Sequence, residues 1–198
     1  AGTYRARRMN KHFRRVLKKL QTRRQQSAIR DAEYYDLSYH IQLEEYRFTS
    51  SQKRLTEHNL QEISDTIDVA YLARKLRQTC LLLSHQAVYQ KEYDFGLLDK
   101  SMVYIKERGL LDIPAISVYY YCYLALAGLE RETNFRQFKQ LLFDEGHRFT
   151  VGELRDLYLL AINYCIRRLN AGQEAYAQEG LELYKSGFES NILTSNRS

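Results

Sequence analysis

The stretch TVGELRDLYLLAINYCIRRLNAG, residues 150–172, has the form of one complete helix. Thr150 and Glu153 stand in the capping-box order that opens helices, and apolar residues recur at helical spacing after them. The closing Asn-Ala-Gly sequence is typical of a helix end. The stretch therefore predicts a helix that begins at Thr150 and runs through Leu169.

Similar signals for helix starts and helix ends recur through most of the chain, whereas the alternating pattern of a strand hairpin does not occur. The only proline, Pro114, suits the first turn of a helix, and Gly109 suits a helix end. The predicted helices run from Asp31 to about Arg47, Asn59 to Ser84, about Glu92 to Arg108, near Asp112 to Gly128, Asn134 to Gly146, Thr150 to Leu169, and Gln173 to Gly187. Residues 48–53 are predicted as a loop. With a basic N-terminal helix, the sequence predicts an all-α fold of about eight helices.

Short connections between these helices favour antiparallel neighbours. The last four helices form two pairs, which begin near Asp112 and Thr150, a spacing of about 38 residues that is typical of helix-pair solenoids. We therefore expect antiparallel helix pairs stacked as a TPR-like α-α superhelix. The Trp-Leu-Gly pattern of tetratricopeptide repeats is missing, so the likeness is one of architecture alone.

Charge is distributed unevenly along the 198 residues. Residues 1–30 hold eleven of the 30 lysines and arginines and no acid, so they carry +11, while residues 31–198 carry −5. We expect residues 1–30 to form a basic amphipathic helix packed on the body, and residues 31–198 to form a single helical-repeat domain.

The basic helix has two faces at 100° per residue. The apolar stripe consists of Met9, Phe13, Val16, Leu17 and Leu20. The basic side consists of Arg7, Arg8, Lys11, Arg14, Arg15, Lys18 and Lys19. This side fits contact with nucleic acid or another polyanion, an anionic membrane surface or an acidic protein. It also fits a solvated face on a helix whose stripe is packed on the body, which is the interpretation we favour.

Three cysteines, Cys80, Cys122 and Cys165, lie in apolar helical stretches and fit neither a disulfide framework nor a metal site. We also expect no secretory signal, because the basic N-terminal stretch lacks an apolar core, and no apolar run in the sequence reaches the roughly 20 residues that span a membrane. These features predict buried, structural cysteines and a cytoplasmic protein.

Catalytic motifs are missing from the sequence. No phosphate loop, dinucleotide fingerprint, nucleophile elbow or histidine metal motif occurs, so we expect no cofactor, no metal and no enzymatic activity. His40 and Glu44 stand one helical turn apart and could form an acid/base or ligand pair, although a surface hydrogen-bonded pair is the commoner outcome.

Several phrases together resemble an uncharacterised bacterial family of long, tyrosine-rich helical proteins with TPR-like repeats. The phrases are NLQE at residues 59–62, ARKLR at 73–77, LDIPAI at 111–116, ELRDLY at 153–158 and NYCIRRLNAG at 163–172. The resemblance implies that the chain matches the N-terminal part of such a protein, as a fragment or a short member. It implies no catalytic residues.

Function is less constrained by the sequence than the fold. The chain has 17 tyrosines and no tryptophan, with a cluster at Tyr119, Tyr120, Tyr121 and Tyr123. Tyrosine suits both helix packing and protein-binding grooves. The leading hypothesis is a non-enzymatic helical-repeat scaffold that binds an unidentified protein on a tyrosine-lined face. The alternative is polyanion binding through the basic helix.

Overall fold

The computed structural model describes residues 2–50, 57–89, 91–128 and 131–194. These residues form eight α-helices and no strand, as predicted. The helices are α1 (Gly2–Gln26), α2 (Ala32–Ser50), α3 (Glu57–Tyr89), α4 (Leu98–Glu107), α5 (Pro114–Ala127), α6 (Arg131–Glu145), α7 (Val151–Asn170) and α8 (Ala175–Glu189). None of them is both long enough and apolar enough to cross a bilayer.

The chain forms two compact units, an N-terminal unit of residues 1–71 and a C-terminal unit of residues 72–198. Helix α3 contributes its first part to one unit and its second part to the other. Each unit is described by itself below. The predicted division into residues 1–30 and 31–198 stays a prediction.

Several predicted helix boundaries are confirmed. Gly109 and Gly128 follow α4 and α5 with φ angles of 65° and 89°, the left-handed region that glycine adopts without strain. Pro114 is the first residue of α5. Asp31 caps α2, because its Oδ1 accepts a hydrogen bond of 2.9 Å from the backbone N–H of Tyr34.

Other predicted starts are wrong. Asn59 and Asn134 lie inside α3 and α6 rather than at their starts, because polar residues before each asparagine extend the helix. The helix expected from Glu92 begins at Leu98, after a turn in which Asp94 Oδ1 accepts the Gly96 N–H at 2.8 Å.

Boundaries of three other helices also differ from expectation: α3, predicted to end at Ser84, extends to Tyr89. Phe48, predicted in a loop, is still in α2, which ends at Ser50, and the remainder of that predicted loop, residues 51–53, lies outside the described residues. Helix α8 begins at Ala175 and ends at Glu189, two residues later at each end than expected.

The N-terminal unit packs α1 against α2. The Phe13 and Phe48 rings are 5.1 Å apart, and Leu17 is buried. Val16 and Leu20, also in the predicted stripe, remain 41% and 39% exposed. The Met9 side chain lies outside the described part. Only the centre of the stripe is therefore covered among the described side chains.

The C-terminal unit is organised around α5, whose residues Ala115 to Tyr120 are all buried. Helix α5 packs on α6, and α7 packs antiparallel on α8. A Cβ added at Gly180 would lie only 3.2 Å from Cys165 Cβ, so the missing side chain lets α7 and α8 approach closely.

All three cysteines are buried, as predicted. Burial raises the pKa of Cys80 well above its ordinary value. Burial, with a smaller effect from Glu179, raises the pKa of the Cys165 thiol to about 12. Both thiols are therefore held in the neutral form, as small apolar groups.

Candidate functional site

The basic side of α1 is exposed to solvent. Its described members are Lys11, Arg14, Arg15, Lys18 and Lys19, which lie within an arc of about 140° at 100° per residue. The side chains of Arg7 and Arg8, two further members predicted from sequence, lie outside the described part of the chain. The structure thus brings the described predicted contact residues onto one helix face.

Most of this positive charge has no acidic partner among the residues that the structure describes. Lys11, Arg15, Lys18 and Lys19 form no side-chain hydrogen bond or ion pair within the described residues. The Arg14 guanidinium instead lies 5.2 Å from the centre of the Phe48 ring. A face of this kind attracts anions.

Helices α7 and α8 contact each other along one flank of each helix. Gly180 lies against Cys165, and the Tyr158 hydroxyl is 2.9 Å from the Ser186 hydroxyl. Residue numbers rise on α7 as they fall on α8 along this contact, which shows that the pair is antiparallel.

Next to that contact, both helices present an exposed apolar stripe. On α7 the stripe covers an arc of about 80° and is centred about 70° from the contact flank, and on α8 it covers about 60° and is centred about 130° from that flank, in the same sense of numbering. Because the helices are antiparallel, rotation in the same sense brings both stripes to the same side of the pair. We call this surface the α7–α8 face. Its members are Leu159, Ile166 and Leu169 of α7, and Leu181, Tyr184 and Phe188 of α8.

The predicted tyrosine-lined face is only partly explained by this surface. In the cluster of α5, Tyr119 and Tyr120 are buried, and Tyr121 is half-buried. Tyr184, outside that cluster, is 53% exposed and its ring stacks on Phe188 at 6.2 Å. In the sequence, the indication of the α7–α8 face was that α7 carries apolar residues on more than one side of the helix.

Glu153 has a different role from the one predicted. The Thr150 side chain makes no capping hydrogen bond, and Glu153 is buried at 2% exposure. The Tyr119 hydroxyl donates to Glu153 Oε1 at 2.8 Å, and Arg77 lies between Glu153, at 3.8 Å, and Asp156, at 3.2 Å. The predicted capping box is therefore wrong, and Glu153 anchors a polar network instead.

This network holds the Tyr119 hydroxyl in its neutral, donating form. Burial raises the pKa of Tyr119 well above its ordinary value, and the neighbouring Glu153 charge raises it further. Because Tyr119 and Glu153 are both enclosed, the pair is suited to holding helices together rather than to acting on a substrate.

His40 does not form the pair expected with Glu44. Its Nε2 lies 3.8 Å from Asp36 Oδ2, while Glu44 accepts a hydrogen bond of 2.8 Å from Arg47. Both contacts are on an exposed helix surface, so they provide no acid/base site.

A polar cleft of about 340 Å³ lies in the N-terminal unit between α1, α2 and the start of α3. Its carboxylates already have partners, since Gln21 donates to Glu45 at 2.6 Å and Gln42 donates to Glu62 at 2.8 Å. These contacts give the cleft a role in joining the three helices.

A second cleft, of about 180 Å³, lies in the C-terminal unit at the ends of α5 and α7. We call it the arginine cleft. It is lined by Arg167, Arg168, Tyr164, Ala125, Leu126 and Ala171. No sequence motif pointed to it, because its walls come from two helices that are distant in the chain.

Comparison with known proteins finds no matching family model, curated protein or solved structure. The resemblance to a tyrosine-rich helical-repeat family therefore stays a prediction, as does the TPR-like arrangement of the pairs.

Proposed function

We propose that this chain is a non-enzymatic helical scaffold that binds another protein through the α7–α8 face. The observation that carries the proposal is the exposure of six large apolar side chains, each between 40% and 53% exposed, on one continuous two-helix surface. Single exposed apolar residues are ordinary, but a contiguous group marks an interaction surface.

The shape of the surface favours a helical partner. Two antiparallel helices side by side form a groove in which a third helix packs, and a helix surface offers no open backbone edge to a strand. The six side chains expose roughly 500 Å² together, if each has a full area of about 150–200 Å². A standard interface buries about 800 Å² per partner. The face thus supplies the apolar centre of such an interface, and polar surroundings would supply its rim.

Site-specific photocrosslinking in the native host tests the proposal. A benzoylphenylalanine placed at Ile166 or at Tyr184 is expected to crosslink one discrete partner. Val103 of α4, which is 56% exposed but outside the face, is the matched control position. Mass spectrometry of the crosslinked peptide is expected to identify a segment with apolar residues at helical spacing.

Leu159→Glu in the same crosslinking chain is expected to abolish the product without unfolding the protein, because Leu159 is 44% exposed. The same product from position 103, or crosslinks only between copies of this chain, would contradict the proposal.

Polyanion binding through α1 is a second candidate function, supported by Lys11, Arg15, Lys18 and Lys19, which have no ion-pair partner in the described part of the chain. A protein that contacts several phosphates releases counterions, so its affinity falls steeply with salt. The four side chains occur within three helical turns, a spacing that allows several phosphates of one strand to be contacted together.

Fluorescence anisotropy with a single-stranded oligonucleotide tests this second function. Lys11→Glu with Lys18→Glu is expected to weaken binding. It should also reduce the slope of log affinity against log salt concentration by the amount expected for about two lost phosphate contacts. Lys100→Glu with Lys106→Glu, which reverses two exposed charges of α4, is the matched control. Equal losses in both double variants, or affinity that does not change with salt, would rule the function out.

A further inference from the structure

We infer that the arginine cleft binds a monocarboxylate carried on a small apolar group. This inference is independent of the α7–α8 face. It begins with Arg168, whose buried Nε has no hydrogen-bond partner. Within the described part of the chain, the Arg168 side chain makes no hydrogen bond or ion pair at all. Its one described interaction is with the Tyr176 ring, 5.8 Å from the guanidinium carbon.

A partly buried guanidinium without acceptors is costly, because arginine cannot lose its charge and each buried donor needs a partner. Arg167, next to it in the cleft, also has no acid partner among the described residues. Two guanidinium groups therefore line one small cavity, and neither is paired with an acid among the described residues. The ligand that matches a planar guanidinium fork best is a carboxylate, which accepts two parallel hydrogen bonds.

The remaining walls define what the carboxylate is attached to. Ala125, Leu126 and Ala171 are apolar, and Tyr164 presents an aromatic ring. The volume of about 180 Å³ is close to that of cavities that hold one benzene-sized molecule, about 150 Å³. The cleft therefore fits a small apolar group bearing one carboxylate, such as a free organic acid or the C-terminal residue of a peptide.

Helix direction opposes a phosphate dianion more strongly than a carboxylate, which carries a single charge. The cleft lies at the C-terminal ends of α5 and α7, where the helix dipoles place partial negative charge. The backbone N–H groups nearby are already used: Ala171 donates to Arg167 O, and Gly172 donates to Leu169 O. Phosphate sites usually depend on free backbone N–H groups at helix starts, which this cleft does not supply.

Arginines in a last helical turn also stabilise the helix dipole. That role needs neither a buried, unpartnered Nε nor an apolar cavity beside it. A dipole role alone would change stability when Arg168 is replaced, but it would not change the affinity for a ligand. The two roles can therefore be separated by a binding measurement.

Fluorine NMR with 4-fluorobenzoate as the probe and the full chain as the receptor makes this measurement. The wild-type protein is expected to bind the probe saturably, with a Kd of about 1 mM or below. Arg168→Gln is expected to raise the Kd at least about tenfold, the loss of one charge-assisted pair. Arg168→Lys should weaken binding several-fold, because lysine keeps the charge but not the fork.

Two controls keep the test independent of folding. Arg167→Gln changes an exposed residue and is expected to weaken binding while the circular dichroism spectrum stays the same. Arg136→Gln, on the exposed side of α6, is expected to bind the probe as the wild type does. Neutral fluorobenzene should not bind.

Competition then separates the two sources of the carboxylate. Displacement of the probe by N-acetylleucine points to a free acid, and displacement by Gly-Gly-Leu points to a peptide terminus; either supports the inference. Absence of saturable binding, an unchanged Kd in Arg168→Gln, or equal displacement by inorganic phosphate or by the amidated tripeptide would overturn it.

Discussion

The Tyr119 hydroxyl and the Glu153 carboxylate form a hydrogen bond in the interior of the C-terminal unit, where both side chains are buried. Tyr119→Phe removes the donor and leaves a buried carboxylate with one partner fewer. We expect the free energy of unfolding to fall by about 1–3 kcal/mol, measured by urea denaturation.

Tyr121→Phe is the matched control, because Tyr121 is the half-buried next-but-one neighbour and its hydroxyl makes no hydrogen bond within the described residues. Its effect should stay within about 0.5 kcal/mol. Equal losses in the two variants would show that the Glu153 contact contributes nothing specific.

The role of Glu153 was mispredicted for a physical reason. A Thr-x-x-Glu sequence at a helix start fits a capping box locally, and the partner that outcompetes the cap lies 34 residues away on α5. Nothing in the local pattern distinguishes a glutamate that turns back to its own helix from one that points into the core. The arginine cleft was missed for the same reason.

The Cys165 thiol is expected to make the free energy of unfolding depend on pH in the alkaline range. Its pKa is raised in the folded chain to about 12 from an ordinary value of 9.0. Above pH 9 the unfolded thiol loses its proton while the folded thiol keeps it, so the unfolded state gains stability as pH rises. We expect the free energy of unfolding to decrease between pH 9 and pH 12. Cys165→Ala should reduce the slope of that decrease by an amount that corresponds to at most one proton released on unfolding. Urea denaturation at several pH values measures both slopes, and identical slopes would contradict the expectation.

Among the elements, α1 depends on its central apolar contact. Leu17→Asp places a charge where α1 meets α2 and is expected to release the helix, because Leu17 is 9% exposed. Trypsin, for which α1 has many lysines and arginines, should then cleave within residues 11–24 several times faster than in the wild type.

Val16→Asp, one residue away, introduces the same charge at a position that is 41% exposed. It should leave the cleavage rate close to that of the wild type. If both variants are cleaved equally fast, added charge rather than the lost contact decides the outcome.

The helix ends at Gly109 and Gly128 were predicted better than the helix starts at Asn59 and Asn134. Gly109 and Gly128 end helices because only a left-handed residue completes the turn, and that requirement is local. A start has no such requirement: Asn134 is a good cap, yet the polar residues before it form a further helical turn. The all-α fold could be predicted because helical spacing recurs in nearly every segment.

At the scale of the whole molecule, the division at residues 71 and 72 predicts how the chain tolerates truncation. Residues 72–198 contain α4 to α8, the Glu153 network and the contact from Cys80 to the Tyr119 carbonyl. We expect this fragment, expressed alone, to give a helical circular dichroism spectrum and a cooperative thermal transition. A fragment that is helical but melts without cooperativity would contradict the division.

The basic side of α1 could be predicted because the lysines and arginines and their helical spacing are given directly by the sequence. The α7–α8 face could not be located in advance, because α7 has apolar residues around much of its circumference and only the packing shows which remain uncovered. Leu160 is 4% exposed, whereas its neighbour Leu159 is 44% exposed. Which of two adjacent leucines faces solvent depends on where the other helices lie.

The antiparallel pairing of α7 with α8 also has a consequence for the speed of folding. Its partners are close in the chain, joined through residues 171–174, so little chain entropy is lost when the pair closes. Domains rich in such local contacts fold within microseconds to milliseconds. During synthesis, α7 can therefore pack on α8 soon after both helices have left the ribosome. This limits the time for which their contact flanks are exposed and able to form incorrect contacts.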